Sequence, residues 1–142
     1  MSELFLIAHL AGRPVAIDSA QVESVVDIGE IVPVPRAGAQ VRGLAALRSR
    51  VVTVIDSHVT LGLDAGDVAG SRAVITVADG QHYAILVDSL EDVAPFALQP
   101  FSPGIVLDAG WRVAGRGIVE RDGEAVLAID LAALVPAAQL AA

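Results

Sequence analysis

The sequence contains no cysteine and no lysine, and only five of its 142 residues are aromatic. Without cysteine the chain can form no disulfide, offers no thiolate nucleophile and cannot bind zinc through sulfur. All nine basic side chains are arginines, set against 17 acids, and they form no run longer than Arg48-Ser49-Arg50. A net charge of −8 without a basic patch lacks the electrostatics of duplex binding, so no nucleic-acid partner is expected.

Long hydrophobic runs are missing too, although the mean hydropathy is +0.64. The longest charge-free run, residues 93–107, is interrupted by three prolines. A bilayer span needs about 20 apolar residues, so no direct membrane insertion is expected. The opening residues, MSELFLIAHLAGR, have an acid at position 3 and no positive region, so they do not resemble a signal peptide and a cytoplasmic location is expected.

What the sequence does contain favours β structure. Apolar residues make up 54% of the chain, and 31 residues are valine or isoleucine, which prefer strands. Turn signals separate apolar runs of roughly five to eight residues, the usual length of a strand. Two hairpins are predicted, one pairing residues 4–10 with 15–17 and the other pairing 73–78 with 83–87.

Two further predicted strands, residues 50–56 and 124–130, each end in Ile-Asp and lead into a predicted helical turn. An aspartate at such a junction accepts hydrogen bonds from the amides of the first turn. Asp56 and Asp130 are therefore predicted to be N-caps rather than catalytic acids.

The chain also repeats itself. With an offset of 68, residues 12–26 lie over 80–94, and Glu23 falls on Glu91. Farther along, Val41-Arg42-Gly43 lies over Val113-Ala114-Gly115, and Ile55-Asp56 over Ile129-Asp130. The repeated order of elements favours two copies of a small β unit over chance similarity. Each half has enough strands to close into a small barrel, and two barrels sharing an interface would support each other's cores.

No arrangement of chemistry-bearing side chains predicts an enzyme. His9, His58 and His82 have no spacing typical of a metal site, so no metal is expected. Asp56-Ser57-His58 contains the residue types of a hydrolase triad, but a triad is assembled across a fold and not from neighbours in sequence. We therefore predict no catalytic activity and no cofactor.

Residues 15–63 resemble the core of the CheW family, the chemotaxis coupling proteins. The family pattern is an apolar-Ile-Asp start, Val-x-Glu, Val/Ile-Pro-x-Pro, Gly-apolar-x-x-Leu-Arg-Gly, and a Val-Val-Pro-Val-Ile-Asp-Leu strand before a short helix. The residues that match in register are Ala16-Ile17-Asp18, Val22, Pro33, Pro35, Gly43, Leu47-Arg48, Val51-Val52, Val54-Ile55-Asp56 and Leu61-Gly62. The second half fits more loosely, through residues 84–93, 111–118 and 127–131.

The resemblance implies a mostly β fold of two SH3-like five-stranded β-barrels packed together, with short helices including one at the C-terminus. It implies a single domain over residues 1–142, made of two barrel subdomains with the main crossover near 62–72. Family members have no enzymatic activity and bridge chemoreceptor cytoplasmic tips to the regulatory domain of the histidine kinase CheA. The expected function is therefore a non-catalytic adaptor in bacterial chemotaxis signalling, located at receptor arrays on the inner face of the membrane.

The same resemblance implies three partner-binding residues, Val22, Gly43 and Arg48. Core packing explains Val22 equally well, and a positive φ or a close approach explains Gly43 equally well. In family members the Arg48 position pairs with the glutamate of Val-x-Glu, but here that position is Ser24 and the acid is Glu23. A one-residue shift on a strand turns a side chain to the opposite face, so the usual ion pair is not carried over to this chain from the pattern.

Two more positions depart from the family pattern, because Ser49 replaces the glycine after the arginine and Thr53 replaces the proline of the next strand. These departures keep a second hypothesis open: a divergent CheW-like regulator of another motility or pilus pathway that binds an output or motor component. An enzyme or a small-ligand barrel would instead require polar groups that converge in a pocket.

Overall fold

The computed structural model describes residues 3–10, 12–35, 41–47, 50–57, 72–78, 80–101 and 109–135. The strands are β1 (Glu3–Leu10), β2 (Arg13–Asp18), β3 (Ser24–Asp27), β4 (Val41–Leu47), β5 (Arg50–Ile55), β6 (Arg72–Ala78), β7 (Gln81–Leu86), β8 (Ser89–Phe96), β9 (Gly115–Arg121) and β10 (Glu124–Ile129). The described elements also include the short helix α1 (Ala109–Ala114) and the 3-10 turns Ser19–Gln21 and Leu131–Leu134.

The ten strands form two five-stranded sheets. The first sheet has the order β8-β1-β2-β10-β9, and the second sheet has the order β3-β6-β7-β5-β4. Both predicted hairpins are confirmed, since β1 pairs antiparallel with β2 and β6 pairs antiparallel with β7. Parallel pairs, β2 with β10 and β5 with β7, join each hairpin to strands from the other half of the chain.

The sheets do not follow the two halves of the sequence. The strands β1 to β5 of the first half correspond in order to β6 to β10 of the second half. When each strand of the first sheet is replaced by its counterpart in the other half, the strand order becomes that of the second sheet. Each sheet therefore combines the first two strands of one half with the last three of the other. The repeat is present as two copies of one β unit, but the expectation that each half closes on itself is wrong, because the hairpins are exchanged through the parallel pairs.

The apolar residues are divided among three buried clusters. One is built only by the first sheet, one only by the second sheet and its adjoining segment, and the third by residues from both sheets. Successive side chains of a strand point to opposite faces. Phe5 and Ile7 accordingly enter the cluster of the first sheet, while Leu6 and Ala8 enter the cluster between the sheets.

Gly43 and Gly117 occupy equivalent bends at the edges of the two sheets, with φ values of +149° and +159°. A Cβ on Gly43 would overlap the carbonyl oxygen of Val32, and one on Gly117 would overlap that of Gln99. The residue after each glycine forms a backbone bridge with the same neighbour. Both positions therefore favour glycine, which has no Cβ and adopts a positive φ more readily than other residues.

This equivalence corrects the sequence alignment of the repeat at one point. The alignment placed Gly43 over Gly115, whereas conformation and contacts match it with Gly117. The pairing of β4 with β5 and of β9 with β10 shifts register beside these glycines. Gly117 lies 74 residues after Gly43, the same offset that relates Ile55-Asp56 to Ile129-Asp130, so one offset covers this part of the repeat.

Of the two predicted N-caps, Asp130 is confirmed: its carboxylate accepts a hydrogen bond from the Ala132 amide at 3.0 Å. Asp56 is only 3% exposed and pairs with Arg42 at 3.3 Å. The buried Ser57 hydroxyl donates to the carbonyl of Leu86 at 2.6 Å. That hydrogen bond gives Ser57 a structural role, in line with the rejection of a triad.

Several expectations concern residues beyond those described: Arg48, Ser49, His58, residues 62–71 of the predicted crossover, and residues 136–142 at the C-terminus. The last described element is the 3-10 turn Leu131–Leu134, at the place where a C-terminal helix was expected to begin. No helix among the described residues is long and apolar enough to cross a membrane.

Candidate functional site

A pocket of about 400 Å³ opens between the two edges of the second sheet. It is lined by residues 23–26 on the β3 side and by Leu47, Arg50, Val52 and Ile75. Val52 and Ile75 are only 1% and 2% exposed, so the floor of the pocket is the buried cluster of this sheet. We call this space the edge pocket, because β3 and β4 are the outer strands of the sheet.

Three polar side chains, Glu23, Arg50 and His82, form a cluster at the rim of the edge pocket. Glu23 accepts a hydrogen bond from Arg50 Nη1 at 3.0 Å, and its other carboxylate oxygen lies 2.9 Å from His82 Nε2. Arg50 and His82 stand near the starts of β5 and β7. Those strands are parallel neighbours, which brings their first residues to the same end of the sheet. We call these three residues the rim cluster.

The rim cluster contains an ion pair close in sequence to the two positions that form a pair in the family pattern. Its acid is Glu23, next to position 24, and its cation is Arg50, two residues after Arg48. Ser24, at the position of the family glutamate, lines the edge pocket beside them. Arg48 lies outside the described residues, so its pairing and its role in partner binding remain predictions.

The structure gives Val22 and Gly43 different surroundings. Val22 follows the 3-10 turn Ser19–Gln21 and packs, half-buried, against the cluster between the sheets. Gly43 lies in β4, where an added Cβ would also come within 2.8 Å of the Ile31 side chain. Core packing and close approach thus describe their contacts, and their partner-binding roles remain predictions.

Arg50 and His82 are the residues that sequence reasoning missed. The acid at position 23 was visible in the sequence. The available signal for Arg50 was that a second arginine stands two residues after Arg48. His82 carried no such signal, because its approach to Glu23 depends on β7 lying beside β5.

The first sheet has a charged cluster around Glu91, the residue that the repeat aligns with Glu23. Arg121 donates to Glu91 at 2.8 Å and lies 3.6 Å from Asp92, while His9 lies 4.0 Å from Glu91. The hydrogen bond with Glu91 raises the pKa of Arg121, and the charges of Glu91, Asp92 and Asp122 add to the effect. Arg121 therefore ties β9 to β8, the two outer strands of the first sheet.

Aromatic packing is the other difference between the two sheets. In the first sheet the rings of Phe5 and Phe96 meet edge to face with centroids 6.5 Å apart. The repeat places Ala73 and Ile28 at these positions in the second sheet. The interior of the second sheet therefore holds two fewer rings at the equivalent positions.

The polar side chains of the described residues are hydrogen-bonded where they are buried and are exposed at the rim cluster. Within these residues no group of three or more His, Asp and Glu side chains could hold a metal ion. Every buried side-chain nitrogen or oxygen described has a hydrogen-bond partner. The rim cluster is exposed, with Glu23 at 41% and Arg50 at 52%, which suits it to contacts with another molecule.

Comparison with known proteins assigns the family. The family model for the CheW-like domain matches residues 4–139. The crystal structure of the scaffolding protein TtCheW from Thermoanaerobacter tengcongensis superimposes with a TM-score of 0.79 at 24% sequence identity. That match covers 94% of this chain and 92% of that chain, and it establishes a common fold. A search of curated proteins found no match.

Proposed function

The chain belongs to the CheW-like domain family, and on that premise we propose that it is a non-catalytic adaptor that couples chemoreceptors to a CheA-type histidine kinase. The observation that carries the proposal is the family match over residues 4–139, nearly the whole chain. Its partners would be the regulatory domain of the kinase and the cytoplasmic tip of the receptor. The adaptor would act in the cytoplasm, at receptor arrays on the inner face of the membrane.

The proposal includes the finer description of the fold as two SH3-like barrels in one domain. Backbone bridges support it, since Val32 pairs with Leu44 beyond β3 and Gln99 pairs with Ile118 beyond β8. Each bridge connects the chain beyond one outer strand to the other outer strand of the same sheet. One barrel edge would pack on the kinase domain, and the groove between the barrels would receive the helical hairpin of the receptor.

Within this proposal, Val22, Gly43 and Arg48 are the partner-binding residues. The rim cluster adds support, because its ion pair lies one and two residues from the positions that the resemblance marks for contact. A surface ion pair contributes only about 0–1 kcal/mol to folding, so its presence fits recognition better than stability.

A pull-down with purified kinase and a soluble receptor signalling fragment from the same cell tests the proposal. We expect the wild-type chain to recover both proteins, and we expect Arg48→Glu to abolish recovery. Arg72→Glu is the matched control, because Arg72 is half exposed and pairs with Asp27 at 3.1 Å. Unchanged recovery by Arg48→Glu would contradict the role of Arg48, and no recovery by the wild type would contradict the adaptor function.

The displaced ion pair favours a second candidate, a divergent regulator of another motility or pilus pathway. A rim that differs from the family pattern at positions 24 and 49 would suit a different partner. Affinity purification from the native cell with mass spectrometry separates the two candidates. Recovery of an output or motor component without any kinase would favour the second.

A further inference from the structure

The first sheet closes the edge that corresponds to the edge pocket. Leu47 lines the pocket, and the repeat places Arg121 at the equivalent position of the first sheet. Arg121 bonds Glu91, which the repeat aligns with Glu23. The first sheet thus closes with its own side chains an edge that the second sheet leaves open.

The open space leads to apolar side chains. Val52 and Ile75 form its floor and are almost fully buried, and Leu47 stands at its wall. A large apolar side chain that enters this space would leave water and contact these residues, which favours binding. The pocket is therefore suited to an anchor residue such as phenylalanine.

Charge distinguishes the same two edges. Where β9 meets β10 the chain carries Glu120, Asp122 and Glu124 beside Arg121, whereas the sequence between Leu47 and Val51 is Arg48-Ser49-Arg50, without an acid. Arg50 is half exposed, and a guanidinium has five N–H donors, so it can donate to a second carboxylate while it remains bonded to Glu23. The rim of the edge pocket is thus complementary to an acidic side chain.

The backbone beside the pocket favours an extended ligand. Among the described strands, β3 has a partner only on its β6 side. An outer strand presents backbone donors and acceptors to which an extended segment can bind.

We infer that the edge pocket binds an extended segment of a partner protein, with one large apolar side chain in the pocket and an adjacent carboxylate on Arg50. The inference goes beyond the proposed function, because it requires neither the receptor nor the kinase to be the partner.

The test is a titration of the full 15N-labelled chain, observed by NMR, with a blocked tetrapeptide of sequence glycine-aspartate-phenylalanine-glycine. We expect millimolar binding with amide shifts at residues 24–26, Leu47 and Arg50. Alanine in place of the phenylalanine should weaken binding at least tenfold, and lysine in place of the aspartate should weaken it several-fold. No shift at these amides at millimolar peptide would overturn the inference.

Two variants locate the site. Leu47→Arg places a cation where the first sheet has Arg121, so it should close the pocket and abolish the shifts. The matched control, Arg121→Leu, alters the opposite sheet and should bind the peptide as the wild type does. Binding that survives Leu47→Arg in a folded chain would overturn the inference.

Arg50→Glu provides a second, surface variant that leaves the core untouched. It should reverse the preference, so that the lysine peptide binds more tightly than the aspartate peptide. An unchanged preference would overturn the role of Arg50. Shifts of the same amides on raising the protein concentration without peptide would also overturn the inference, because they would identify a second copy of the chain as the occupant.

Discussion

The two sheets are built on one plan, yet they differ in what fills them and in what closes their edges. Val126 and Val52 occupy equivalent interior positions, as do Ile7 and Ile75. The first sheet adds Phe5 and Phe96 to this framework, while the second sheet leaves the edge pocket. Two sheets with the same strand plan can thus differ in their packing and in the closure of their edges.

The largest effect is expected from removing the ring of Phe5, which has no counterpart in the second sheet. Phe5 is fully buried, so Phe5→Ala should lower the free energy of unfolding by about 3–5 kcal/mol, through lost burial and a new cavity. Urea denaturation followed by circular dichroism measures the change. Phe96→Ala, at the half-buried partner ring, should cost less, and equal losses would show that the first sheet is not packed around Phe5.

The equivalent isoleucines give a matched test of packing. Ile7→Ala and Ile75→Ala should each destabilise the chain by about 2–5 kcal/mol. The loss for Ile7→Ala should lie in the upper half of this range and the loss for Ile75→Ala in the lower half. The reason is that Ile75 borders the edge pocket, so truncating its side chain enlarges an existing space. Denaturation of both variants under the same conditions decides the order, and a larger loss for Ile75 would contradict an open second sheet.

The bend glycines test what the sheets share. Gly43→Ala and Gly117→Ala should each destabilise the chain by about 1–3 kcal/mol, since the new methyl group would press on a backbone carbonyl. Gly29→Ala is the control, because nothing lies within 4 Å of the added Cβ and its φ is not positive. Thermal unfolding of the three variants should show similar losses for the first two and almost none for the third.

The smallest expected effect concerns the charged clusters at the two edges. Glu91→Gln and Glu23→Gln should each change the free energy of unfolding by no more than about 1 kcal/mol, because both pairs are partly exposed. The difference from wild type should shrink further in 1 M salt, where the Debye length is about 3 Å. A loss well above 1 kcal/mol for Glu23→Gln would mean that the rim cluster supports the fold.

Features set by neighbouring residues were predictable. The hairpin β6–β7 follows from two apolar runs around Asp79-Gly80. Asp130 caps the next turn because the amide that donates to its carboxylate belongs to Ala132, two residues later. The repeat was visible because matched interior positions keep similar residue types, such as Ala16 and Ala84. The family pattern of residues 15–63 likewise depends on residues that stand close in sequence.

The candidate site was predictable only in part. The displaced acid at Glu23 followed from comparing the chain with the family pattern, but its partners did not. Arg50 and His82 lie 27 and 59 residues from Glu23 in sequence. Their contacts with Glu23 in space depend on how the strands pair. The edge pocket could not be predicted either, since its lining comes from β3, β4, β5 and β6, which only the tertiary structure brings together.

By itself, then, the sequence determined the strand content, the hairpins, the N-cap at Asp130 and the existence of two related units, because each depends on residues that are near neighbours or on residue type alone. Only the tertiary structure decided that the units exchange hairpins, that Gly43 matches Gly117, and that Glu23 meets Arg50 and His82. The physical reason is that parallel pairs such as β5 with β7 join distant segments, and their choice depends on burying one apolar cluster between both sheets.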